Sequence, residues 1–204
     1  INGKVFVSSS DRSYGAVYSN SVKVYDRSTK KVISRTGDNN NTRLVYLEGS
    51  DTELIDITSN IIPADLSYYR FNPDGGLVTH RNDQYHGDHP LDRTLVKSFP
   101  DGSGFITGSS GTINTKDLIY VRSLASAVSN SFSDFEFSEE GTIIYAAIKQ
   151  QRKIDVINYP ALTVAKSYST AFNIFRIFRD GNQLISIGVS PTFPTYLMLE
   201  KINL

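Results

Sequence analysis

The segment FEFSEEGTIIYAAIKQQRKIDVINYPALTVAKSY, Phe135 to Tyr168, sets out one complete unit of this chain. An alternating run ends at Phe137, Ser138-Glu139-Glu140-Gly141 turns the chain, and Ile143-Ile144-Tyr145 opens a second apolar run. Glycine in such a turn supplies the positive φ that a tight connection demands. After a short polar loop, Lys153-Ile154-Asp155-Val156-Ile157-Asn158 alternates as a third run, Tyr159-Pro160 punctuates, and Leu162 to Tyr168 alternates again. Period two with Gly, Pro, Asn and Asp between the runs predicts four antiparallel strands.

The unit recurs along the chain. Leu47-Glu48-Gly49 precedes Leu54-Ile55-Asp56-Ile57, Phe99-Pro100-Asp101-Gly102 precedes Phe105-Ile106, and Phe178-Arg179-Asp180-Gly181 precedes Leu184-Ile185-Ser186-Ile187. Asn2-Gly3 before Val5-Phe6-Val7 is a truncated first copy, so the anchor glycines are Gly3, Gly49, Gly102, Gly141 and Gly181, spaced by 46, 53, 39 and 40 residues. The later hairpin of the unit returns at Ser21 to Arg35 and Leu66 to Arg81, and more weakly at Asp117 to Ala127. Four antiparallel strands in roughly 40–50 residues is the period of a β-propeller blade. The count is 18 strands, with the chain entering at the second strand of the first blade (Lys4 to Ser8) and leaving after the third strand of the fifth (Tyr196 to Ile202). The expectation is an all-β chain in which residues 1–204 form a single β-propeller domain or propeller fragment of about five blades. Residues or domains beyond both termini would complete the ring, or the five blades belong to a larger one.

Composition narrows the function classes. Lys plus Arg number 21 against 21 for Asp plus Glu, so the clustered positive charge that nucleic acid or an anionic membrane surface draws on is missing. No 18-residue apolar run is present, which argues against direct membrane insertion. With no Cys there is no disulfide, thiolate metal site or cysteine nucleophile, and the compartment stays open. The one candidate helix, Ser123 to Ser133, is mostly Ser and Ala and carries too little apolar area to dock.

Val22-Lys23-Val24-Tyr25-Asp26 with Thr29-Lys30-Lys31-Val32-Ile33, and Lys153 to Asn158 with Leu162-Thr163-Val164, resemble the third and fourth strands of YVTN-type propeller repeats. These are distant relatives of WD repeats found in secreted and surface-attached bacterial and archaeal proteins; no Gly-His and Trp-Asp signature pair is present, and the chain has no Trp. The resemblance implies an extracellular or cell-surface module that binds on one face. It implies no reaction, because propellers host scaffolds, lactonases, lyases and lectins alike.

The strongest local anomaly is THRNDQYHGDHPLDR, Thr79 to Arg93, which holds all three histidines of the chain, His80, His86 and His89, together with Asp83, Asp88 and Asp92. The segment joins the last strand of the second blade to the first of the third, and long connections on rigid scaffolds often carry function. Imidazole and carboxylate together suit a divalent metal, with His80, His86, Asp88 and His89 as candidate ligands. Against that stand the absence of a standard ligand spacing and the flanking Arg81 and Arg93. Same-face loops are expected at Ser9 to Asn20, Ser59 to Asp65, Gly108 to Lys116, Lys149 to Arg152 and Ser190 to Pro194. Among their side chains, Tyr14, Tyr18, Asn114, Arg152 and Phe193 suit a glycan or protein ligand by combining rigid aromatic area with hydrogen bonding. The strand tyrosines Tyr25, Tyr68, Tyr69, Tyr120, Tyr145, Tyr159, Tyr168 and Tyr196 read mainly as cross-strand packing. The leading expectation is a non-enzymatic module that binds protein or glycan and needs no cofactor. The alternatives are a lyase or hydrolase using the histidine loop, with or without a divalent metal, and an intracellular assembly scaffold.

Overall fold

A computed structural model describes residues 3–8, 22–36, 42–59, 62–83, 87–124, 131–193 and 195–204. Among these residues there is no helix, and 18 strands form five antiparallel sheets. The first sheet holds β1 (Lys4–Ser8), β2 (Val22–Asp26) and β3 (Val32–Thr36). The second holds β4 (Thr42–Tyr46), β5 (Glu53–Thr58), β6 (Leu66–Phe71) and β7 (Leu77–Asn82). The third holds β8 (Val96–Ser98), β9 (Gly104–Thr107), β10 (Thr112–Thr115) and β11 (Tyr120–Ser123). The fourth holds β12 (Phe132–Phe137), β13 (Ile143–Ile148), β14 (Lys153–Asn158) and β15 (Thr163–Ser169). The fifth holds β16 (Asn173–Asp180), β17 (Gln183–Val189) and β18 (Leu197–Asn203). Strand order within every sheet follows chain order, as expected for blades built from consecutive hairpins. Among the described residues no helix is long and apolar enough to cross a membrane.

The anchor glycines sit where the turn chemistry requires them, each with positive φ. Gly102 has a second reason to lack a side chain, since a Cβ there would stand 2.1 Å from the carbonyl oxygen of Glu48. The turn of the third sheet is thereby pressed against the chain entering the turn of the second.

The chain divides into two compact units, Ile1–Ile106 with Ile113–Val121, and Thr107–Thr112 with Arg122–Leu204. In the first unit, Val22, Val24, Leu54, Tyr69 and Phe71 join the first and second sheets, while Leu47, Ile55, Ile57, Tyr68, Val96 and Phe105 join the second and third. In the second unit, Tyr145, Ala147, Ile154 and Val156 of the fourth sheet meet Phe172, Ile174, Ile177, Leu184 and Ile202 of the fifth. Each such side chain removed from water contributes about 1.5–3 kcal/mol before the entropy of ordering is subtracted. Polar bonds cross the seams as well. Ser34 Oγ donates to the Gly75 carbonyl at 2.6 Å, Glu48 N–H donates to Ser98 Oγ at 3.0 Å, and Ile177 N–H donates to the Asp134 carboxylate at 3.0 Å.

Asp56 on β5 is fully buried and accepts a 2.9 Å hydrogen bond from Tyr69 Oη. Burial pushes its carboxyl up to about 7, against the opposing effect of the Tyr69 hydrogen bond. An unfolded aspartate titrates near ~3.9. The native state therefore holds an extra proton between about pH 4 and pH 7, and stability falls as pH rises through that window. Asp56→Asn keeps the shape and cannot titrate. In thermal melts followed by circular dichroism, the wild-type Tm is expected to decline relative to Asp56→Asn from about pH 4 to about pH 7 and to run parallel to it above.

Candidate functional site

Two features fold the histidine connection down onto the first unit. Leu91 packs against the cluster between the second and third sheets, and Leu95 is buried behind it. Polar ties hold the rest of the segment: Arg43 donates to the Thr94 carbonyl, Arg93 donates to the Ser59 carbonyl at 3.1 Å, and Asp92 accepts from Thr94 N–H and Oγ1 at 2.6 Å. Asp92 and Arg93 are thus occupied in shaping the loop.

Opposite them stands the turn from β10 to β11. Leu118 takes a positive φ of 66° there, and its side chain is 7% exposed in the core cluster, so burial holds a backbone conformation that a β-region residue would avoid. The turn brings Asp117 to the end of β7, where Arg81 donates to it at 2.7 Å while its guanidinium lies 4.3 Å from the centre of the Tyr68 ring. Both partners are about half exposed, so this ion pair positions the two side chains and adds little stability. At the start of β11, Tyr120 stacks on His89 with ring centres 4.3 Å apart and planes 22° from parallel.

Between these elements lies a cleft of about 790 Å³. Arg81, Asn82 and Asp83 line it from β7 and its end, Asp88 and His89 from the connection, and Asp117, Ile119 and Tyr120 from the turn. Burial pulls the His89 imidazole below the ordinary histidine value, opposed by the Asn114 amide and by the charge of Asp88. Asn114, on β10, is 1% exposed and lies at the back of this imidazole. The result is an aromatic platform with a neutral imidazole, three carboxylates and one guanidinium around it.

The structure thus brings Asp88 and His89 into one cleft with Asn114 behind them, and places the other candidates elsewhere. His80, on β7, stacks on Tyr69 at 4.7 Å with rings 6° from parallel, directly across from it in the sheet register. Because Tyr69 is the residue that bonds Asp56, His80 belongs to the packing of the second sheet. Among the described residues no three His, Asp or Glu side chains gather as a metal site, while His86 lies outside the described residues, as do Tyr14 and Tyr18. Arg152 and Phe193 lie in the second unit. Arg152 sits in the β13–β14 turn with φ 49° and accepts the Thr170 N–H through its carbonyl at 2.8 Å; Phe193 is 58% exposed against Tyr196. Asp117, Ile119 and Tyr120 were not among the candidates. Tyr68, Tyr69 and Tyr145 are packed as expected of strand tyrosines, but Tyr120 is 42% exposed because it opens the last strand of its sheet.

No family model matches the sequence, and no curated protein matches it. Solved structures do. The periplasmic gluconolactonase PpgL of Pseudomonas aeruginosa matches with a TM-score of 0.57 and 14% identity, over 98% of this chain and 68% of that one. The β-propeller domain of Cps50 (Swd1) from Myceliophteria thermophila matches with a TM-score of 0.59 and 13% identity, over 89% of this chain and 65% of that one. The dihydro-heme d1 dehydrogenase NirN matches with a TM-score of 0.64 and 14% identity over the whole of this chain and 41% of that one. The fold is that of β-propeller blades, in antiparallel sheets of three or four strands. Since enzymes and a WD-type domain both appear among these neighbours, the fold leaves the function to the site.

The cleft makes one electrostatic expectation directly measurable. Imidazole ¹H–¹⁵N spectra should show His89 neutral at pH 7 and titrating below a free histidine, and Asp88→Asn should lower its midpoint further by removing a neighbouring negative charge. A midpoint at or above the free value would contradict the burial and charge assignment.

Proposed function

We propose that this chain is a non-enzymatic, YVTN-type propeller module of a secreted or cell-surface protein, and that it binds a glycan in the cleft beside His89 and Tyr120. The observation that carries the reading is the half-exposed Tyr120 ring, fixed by its stack on His89 and surrounded by Asp83, Asp88, Asn82 and Arg81. A sugar presents an apolar face of C–H groups and a rim of hydroxyls. A rigid aromatic platform answers the first, and planar carboxylate, amide and guanidinium groups answer the second with little loss of side-chain freedom. Balanced net charge fits a neutral ligand better than a nucleic acid or an anionic membrane.

A second reading has one observation in its favour. The His89 imidazole, kept neutral by burial and adjacent to Asp88, is in the state a general base requires, as a lyase or hydrolase would use it, with or without a divalent metal. The two readings differ in what happens to the ligand after binding.

Glycan-array screening followed by calorimetric titration of the best sugar tests both. Tyr120→Ala and Asp88→Asn are each expected to weaken binding by about tenfold, equivalent to ~1.4 kcal/mol, with the sugar recovered intact. Cleaved or dehydrated product in mass spectra would favour the enzyme, and loss of binding at Phe193→Ala or Arg152→Ala instead would move the site to the second unit.

A further inference from the structure

The turns that carry the anchor glycines close one seam and leave another open. At the seam of the second and third sheets, a Cβ on Gly102 would stand 2.1 Å from the Glu48 carbonyl oxygen, so turn meets turn. At the seam of the fourth and fifth sheets, a Cβ on Gly181 would meet nothing within 4 Å. The space left there is a cavity of about 420 Å³. Its floor is one register row of the fourth sheet, Tyr145 on β13, Val156 on β14 and Lys166 on β15. Ser138 and Glu140 line it from the β12–β13 turn, Arg179 from the end of β16 and Asn182 from the turn that follows.

This lining is rich in hydrogen-bond donors that have no acceptor. Tyr145 is 5% exposed, and its hydroxyl has no hydrogen-bond partner among the described residues, although the charges of Arg179, Lys166 and Glu140 all act on it. Burial raises that hydroxyl above the ordinary tyrosine value, opposed by Arg179, so it keeps its proton at neutral pH. Ser138 is buried, and its Oγ accepts the Thr142 and Ile143 N–H groups at 3.1 Å, which uses both lone pairs and leaves its O–H to donate. Arg179 Nε is buried without a partner, while the far edge of the guanidinium lies 3.5 Å from Glu139, a side chain 80% exposed and outside the lining. Lys166 Nζ lies 4.7 Å from the centre of the Tyr168 ring and pairs with no carboxylate among the described residues. Buried donors without acceptors cost stability until water or a ligand answers them.

We propose that this cavity binds a small hydroxycarboxylate, its carboxylate taken by Tyr145, Ser138 and Arg179 and its hydroxyls by Glu140 and Asn182. Charge fixes the valence of the ligand. Lys166 and Arg179 against Glu140 leave one positive charge in the lining, which a monoanion neutralises. A phosphate would bring up to about two negative charges and set the surplus against Glu140. Glu140 and Asn182 are exposed at the rim and offer the acceptors that ligand hydroxyls require, and the volume lies at the small end of ligand cavities. All these residues belong to the second unit, so the site is separate from the cleft beside His89 and stands whether or not that cleft binds a glycan.

Titration of the whole chain with D-glucuronate at constant ionic strength, followed by ¹H–¹⁵N NMR, is the test, with D-glucose as the neutral analogue. Glucuronate is expected to shift the amides around Tyr145, Val156 and Asn182 with a dissociation constant on the order of 1 mM, and glucose to shift none of them. Tyr145→Phe deletes the hydroxyl and keeps the ring that packs the seam, so it should weaken binding about tenfold without lowering the Tm. Arg179→Gln should weaken binding by at least about tenfold. Lys149→Gln, at an exposed cation of the β13–β14 turn, should leave binding as it is. No shift up to about 50 mM glucuronate overturns the proposal. So do equal shifts with glucose, shifts confined to Ile119 and Tyr120 of the cleft, or binding that both Tyr145→Phe and Arg179→Gln leave intact. Displacement of glucuronate by inorganic phosphate at lower concentration overturns the choice of a carboxylate.

Discussion

The structure depends on the two-sided burial of β5, β9 and β13, the second strands of the three four-stranded sheets. β5 places Leu54 against the first sheet and Ile55 and Ile57 against the third, so no side chain of its central stretch meets water. β9 and β13 are likewise buried along their length. Such a strand is stable only between two neighbours, and this requirement stacks the sheets within each unit. The polar groups that two-sided burial traps are answered locally, as Asp134 accepts the Ile177 N–H across a seam and Asp56 accepts the Tyr69 hydroxyl within a sheet. In β17, by contrast, every second residue is half-exposed.

This constraint also explains why the architecture could be read from residue order. Two-sided strands appear as continuous apolar runs such as Ile143 to Ile148, one-sided strands as alternating ones such as Val22 to Asp26, and the anchor glycines recur between the runs. Strand number and grouping follow from that pattern, and the 18 strands in sheets of three, four, four, four and three are those the repeat implies. The division into two units does not follow, because strand periodicity carries no information about packing between sheets.

The site was legible in part. The run of His and Asp drew attention to Asp88 and His89 because a long polar connection between two regular strands is unusual, and both residues line the cleft. His80, in the same run, sits one strand earlier and stacks into the sheet, a difference set by where β7 ends and not by residue type. The far wall of the cleft was hidden for a related reason. Tyr120 and Ile119 have the composition of strand packing, and their exposure arises because β11 is the last strand of its sheet and the positive-φ turn at Leu118 lifts its first residue outward. The Arg81–Asp117 pair joins residues 36 positions apart, a proximity that only the packing of the second sheet against the third reveals.

Strand-resolved hydrogen exchange of the chain tests the two-sided burial account most directly. The amides of β5, β9 and β13 should exchange slowest, β17 should be intermediate, and the one-sided edge strands β1 and β18 should exchange fastest. Protection of β18 equal to that of β13, or exchange in β5 as fast as in β1, would contradict the account.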